Sequence, residues 1–118
     1  MFSLALMLFL SCQPEPEEMK LSTDVLVNVL SDVHLVEGAL LSVRPSDKDS
    51  LRNLYYGQIY EIHGITAEVF EYDMKLLKSR PKVMESVYQE VMNELNKKEL
   101  DMKKEKEEAE QEDPKEKK

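Results

Sequence analysis

Ser22-Thr23-Asp24-Val25-Leu26-Val27-Asn28-Val29-Leu30-Ser31-Asp32-Val33-His34-Leu35-Val36-Glu37-Gly38-Ala39-Leu40-Leu41-Ser42-Val43-Arg44-Pro45 is the stretch that decides the fold class. Within it Leu26, Val29, Val33, Val36, Leu40 and Val43 recur at intervals of three and four. That spacing marks one face of an α-helix, whereas a strand facing a core would alternate every second residue. Ser22-Thr23-Asp24 supplies side-chain oxygens suited to the first orphaned amides of a helix. Pro45 cannot continue a helix, so the first one is expected to end there, with Ser46-Asp47-Lys48-Asp49 as the turn.

Working outward, the same period returns three times. A second helix is expected after an Asp49 or Ser50 cap, with Leu51, Leu54, Tyr55, Ile59 and Ile62 inward and Gly64 closing it. Thr66 caps a third helix carrying Val69, Phe70, Met74 and Leu77, which stops at Ser79-Arg80. Pro81 suits the first position of a fourth, whose buried side reads Met84, Val87, Tyr88, Val91, Met92 and Leu95. From Asn96 onward only Leu100, Met102 and Ala109 are apolar, so a solvated, charge-paired helix that frays by Pro114 is expected. The chain has only three glycines and no Asn-Gly or Asp-Gly pair of the kind that closes hairpins. The fold class is therefore all-α: a small four-helix domain over residues 22–95, with a charged helical tail over 96–118.

The chain has 118 residues and a net charge of −8, room for one domain. Residues 97–118 hold eight basic and nine acidic residues, so nearly all the negative charge lies before them. Nucleic acid is excluded as a partner, because neutralising phosphates supplies most of such affinity. The one cysteine cannot form a disulfide within the chain.

That cysteine, Cys12, follows the uncharged apolar run Phe2–Leu10 and precedes Gln13-Pro14-Glu15-Pro16-Glu17-Glu18. The run is far short of the ~20 apolar residues of a membrane span, but suits the apolar core of a secretory signal. Phe9-Leu10-Ser11-Cys12 resembles a lipobox, with Phe9 where leucine is usual. Residues 1–11 are accordingly expected to be a lipoprotein signal peptide, Cys12 the acylated first residue, and 12–21 an extended tether. Two or more acyl chains hold a protein firmly to a bilayer at ~0.8 kcal/mol per buried methylene. The partner implied is a membrane, reached through lipid on Cys12.

Several strings then resemble a known group. They are Cys12 with its approach, Ser31-Asp32-Val33-His34-Leu35-Val36-Glu37-Gly38-Ala39, Leu54-Tyr55-Tyr56-Gly57-Gln58-Ile59-Tyr60, His63-Gly64-Ile65-Thr66, Arg80-Pro81 and Val87-Tyr88. Together they are similar to a family of small Bacteroidetes lipoproteins of unknown function with one compact helical domain. The resemblance spans about residues 12–95. It implies a bacterial cell-envelope location, anchored to the outer membrane on its periplasmic side or at the cell surface. It implies no established reaction. The acidic stretch after Cys12 looks like a surface-display signal of that group.

Asp32, His34 and Glu37 form the most conspicuous polar constellation. His34 and Glu37 are three apart and share a helix face; Asp32 points elsewhere. A histidine with a carboxylate can ligate zinc or iron, but further ligands are wanting, so packing contacts to a neighbouring helix are expected and no metal or cofactor. Tyr56 and Tyr60 share a face and, with Tyr72, are candidates for a partner surface, since aromatic side chains are favoured at protein contacts. No nucleophile–base signature or phosphate-binding glycine loop is present. The expectation is a non-catalytic accessory module that binds an unidentified protein partner. A chaperone-like module holding extended clients, and a metal- or small-ligand-binding lipoprotein centred on His34, are the alternatives.

Overall fold

A computed structural model describes residues 17–112 of the chain. Cys12 and the expected signal peptide lie outside the described residues. Four helices follow one another: α1 (Thr23–Leu40), α2 (Pro45–His63), α3 (Ala67–Lys78) and α4 (Pro81–Glu112). The all-α class is as the sequence implied. No helix among the described residues is long and apolar enough to cross a membrane.

α1 is the central element and packs against both α2 and α4, while α3 packs on α4. The core joins Leu26, Val29 and Leu30 of α1 to Ile59 of α2, Phe70 and Leu77 of α3, and Val87 and Val91 of α4. Because α1 is covered from two sides, its buried face is wider than the expected stripe. Val27, Leu30 and Ser31 are buried too, the Ser31 hydroxyl donating to the Val27 carbonyl at 2.8 Å. Local chemistry sets the ends. The Ser22 and Thr66 side chains accept from Val25 and Val69 amides. Gly64 takes the left-handed φ of 64° that closes α2, a conformation that costs a β-carbon-bearing residue.

Four sequence expectations need correction. Pro45 does not end the first helix; it begins the second. α1 stops at Leu40, residues 41–43 are wound by i→i+3 bonds to Gly38, Ala39 and Leu40 carbonyls, and Arg44 precedes proline at the first helical position. There proline's missing amide costs nothing, because that amide has no partner in any helix. The expected turn at 46–49 is therefore the first turn of α2. Second, α2 turns a different face inward. Ile59 is buried, with Arg52, Tyr56, Tyr60 and His63 on the same side, whereas Leu54, Tyr55 and Ile62 are exposed. Third, Met92 is half exposed rather than core, lying past the edge of the strip defined by Val87 and Val91. α4 continues without a break from the body to Glu112, about 48 Å in all.

Residues 17–21 do not hang free as a tether; they form a strap on α3. The Lys20 and Leu21 amides donate to the two carboxylate oxygens of Asp73 at 2.8 and 2.7 Å. Asp73 is fully buried. Met19 and Leu21 pack against the core, the Lys20 ammonium sits 4.3 Å over the Tyr72 ring, and the Arg80 guanidinium donates to the Glu17 carbonyl. Hydrogen bonds to an ionised group contribute roughly 1.5–3 kcal/mol each. Asp73→Ala is expected to destabilise the fold by about 2–4 kcal/mol in chemical denaturation, and to release the Lys20 and Leu21 amides to rapid hydrogen exchange. Unchanged exchange at those two amides would rule out the latch.

Candidate functional site

Asp32 and Glu37 of α1 are five residues apart, so they leave the helix about 140° apart and serve different neighbours. Asp32 lies at the junction of three helices. His63 Nε2, at the end of α2, is 2.7 Å from Asp32 Oδ2, and Lys98 Nζ of α4 is 3.1 Å from Oδ1. Burial pushes the Asp32 carboxyl up, but the hydrogen bonds from His63 and Lys98, with their charges, outweigh it and hold it below the usual carboxylate value. One carboxylate thereby ties the end of α2 and the middle of α4 to the centre of α1.

Glu37 faces the body of α2. Arg52 approaches it in a fork, Nε to Oε1 at 2.8 Å and Nη2 to Oε2 at 3.2 Å. The Tyr56 hydroxyl donates to the same Oε1 at 2.8 Å, and Arg52 also reaches Asp49 at 3.0 Å. The Arg52 and Tyr56 hydrogen bonds lower the Glu37 pKa. Burial, reinforced by the Glu37 carboxylate, pushes the Tyr56 phenol up to about 12. Asp32–His63 and Glu37–Arg52 together align α1 and α2 as an antiparallel pair.

The expected constellation is thus divided. Asp32 and Glu37 each bind a neighbouring helix, as a packing role requires, but not each other. His34 is exposed and joins neither. Among the described residues no group of three or more His, Cys, Asp or Glu side chains could hold a metal ion. Sequence reasoning missed Arg52, His63, Lys98 and Asp73. Asp73 left a trace: it stands three residues after Phe70 and four before Leu77, a charge within an apolar stripe.

The tyrosines are divided as well. Tyr56 and Tyr60 meet edge to face with centroids 6.2 Å apart, and Tyr60 leans on Phe70 at 5.6 Å. Burial raises the Tyr60 pKa, with the Glu71 carboxylate adding to the effect. Tyr72 is on the strap side of α3. On the opposite side of α3 a groove of about 450 Å³ opens, floored by Val33, Tyr56, Phe70, Met74 and Tyr88, with Lys75 and Lys78 at its edge.

A family model described as a domain of unknown function, DUF4296, matches residues 16–101. The chain belongs to this family. The DUF4296 match begins one residue before the strap, takes in Asp73, Asp32 and Glu37 with their partners, and ends three residues beyond Lys98. No curated protein and no solved structure matches the chain.

Removing Asp32 leaves His63 and Lys98 without their acceptor. Asp32→Asn is expected to lower stability by on the order of 1–2 kcal/mol near neutral pH, read as a shift in denaturation midpoint. The folded Asp32 pKa is depressed below 3.8, so its contribution is fully present above the unfolded value and disappears as pH falls through the folded one. The wild-type and Asp32→Asn unfolding curves should therefore converge in strong acid. A gap that persists there would contradict the assignment.

Proposed function

We propose that this DUF4296 protein is a non-catalytic lipoprotein of the bacterial envelope, anchored through Cys12, whose work is to bind another protein at the membrane. The carrying observation is the outer face of α2. Leu54 and Ile62 are 55% and 75% exposed and Tyr55 is 37% exposed, all on one side of a helix whose other side is already satisfied by α1. An apolar helical stripe left in solvent, flanked by polar residues, is the usual form of a protein contact. The polar nodes at Asp32 and Glu37 support the same reading, since their side chains are engaged in joining helices.

Because the stripe is outside the core, Leu54→Glu with Ile62→Glu should leave stability within about 0.5 kcal/mol. The pair should also abolish a specific crosslinked partner recovered from native membranes with wild-type protein. Recovery of the same partner by the double variant would refute this use of α2. Cys12→Ser should move the protein from the membrane to the soluble fraction.

The groove favours a second reading, a module that holds extended clients. Tyr56, Phe70, Met74 and Tyr88 offer an aromatic and methionine surface of the adaptable kind used for varied apolar side chains. Met74→Glu should then remove any ability to suppress aggregation of an unfolded model protein, while Leu54→Glu should not.

A further inference from the structure

We propose that the corner between α3 and α4 is the face that lies on the membrane, where Lys75, Lys78, Arg80 and Lys82 meet anionic phospholipid headgroups. This rests on the lipid-anchor reading of Cys12 and adds to it an orientation and a lipid chemistry. The first support is the number of residues between Cys12 and Glu17. The strap is held at Asp73 through the Lys20 and Leu21 amides and at Arg80 through the Glu17 carbonyl. Glu17, the first described residue, therefore lies beside Arg80. From Cys12 to Glu17 there are five residue steps, which reach at most about 18 Å when fully extended. An acylated Cys12 cannot let this corner travel farther from the headgroups than that.

Charge is the second support. Four cations fall within residues 75–82, and no acidic residue occurs between Met74 and Met84, in a chain whose net charge is −8. Lys75, Lys78 and Lys82 are exposed, and none of them forms an ion pair among the described residues. Val83, next to Lys82, is an exposed apolar side chain suited to the boundary of headgroup and acyl chain. Glu17, Glu18, Glu71 and Glu85 border the corner, so the attraction is short-ranged. It holds because the lysine and arginine side chains are long enough to reach headgroups ahead of the shorter carboxylates. α4 starts at this corner and carries its charged end away, with Lys103 about 33 Å farther along the helix axis than Pro81.

The test uses the full chain purified from membranes. Its intact mass is measured first, and it is reconstituted into vesicles containing phosphatidylglycerol or into vesicles of phosphatidylcholine alone. Lysine reactivity toward an amine-specific label is then read by peptide mass spectrometry. The expected result is acylated protein in which Lys75, Lys78 and Lys82 label roughly fivefold more slowly in the phosphatidylglycerol vesicles, the factor per cation for basic residues at an anionic surface. Lys103, Lys104 and Lys106 should label alike in both. High salt should restore the rate by screening. Acylated protein whose corner lysines label equally in the two vesicles overturns this inference while leaving the anchor intact. Protein whose mass shows an unmodified Cys12 overturns both.

Discussion

The rest of the structure depends on one carboxylate removed from water. Asp73 lies in the middle of α3 where an apolar residue would be expected, and burial of a charge is costly unless hydrogen bonds replace its hydration. Two backbone amides do so, from Lys20 and Leu21. The arrangement is reciprocal: the strap has no secondary structure of its own to satisfy those amides, and Asp73 has no other hydrogen-bond partner among the described residues. α3 is the shortest helix and packs mainly on α4. The strap adds a further contact to it, with Met19 and Leu21 against the core. The same contact decides where the chain enters the domain.

A second layer of organisation is polar as well. α1 is held to its neighbours by apolar contact that does not specify register sharply, since valine and leucine side chains tolerate sliding by small amounts. Asp32 and Glu37 do specify it. A carboxylate that must meet His63 and Lys98, and another that must meet the Arg52 fork and the Tyr56 hydroxyl, permit one alignment of α1, α2 and α4. Both pairs are partly solvated, so their worth lies more in alignment than in net stability. A domain this small buries a limited share of its surface, and such devices matter more in it than in a large core.

The two faces of α2 connect fold to proposed function. Its inward side is built from Arg52, Tyr56, Ile59, Tyr60 and His63, residues that combine carbon surface with a polar end. Its outward side holds Leu54, Tyr55 and Ile62. Periodicity identifies both stripes as helical and ranks the outward one as more apolar, which is why it reads as core. The inward residues win because α1 offers them Asp32 and Glu37, and an aromatic or arginine side chain with its polar end satisfied can lay its carbon surface against a neighbouring helix while remaining partly exposed.

From residue order alone came the class of fold, four helices and most of their ends, the cap residues and Gly64, together with the expectation of a leader that ends at Cys12, outside the described residues. These are local properties: spacing, side-chain oxygens near free amides, and backbone restrictions act within a few residues. Tertiary structure alone decided that Pro45 opens a helix, which side of α2 is buried, that His63 and Lys98 rather than His34 join Asp32, and that residues 17–21 are a strap. Apart from Pro45, whose place at the first helical position is local, each of these turns on a partner more than ten residues away, and a hydrogen bond across that distance leaves no period in the sequence for the eye to find.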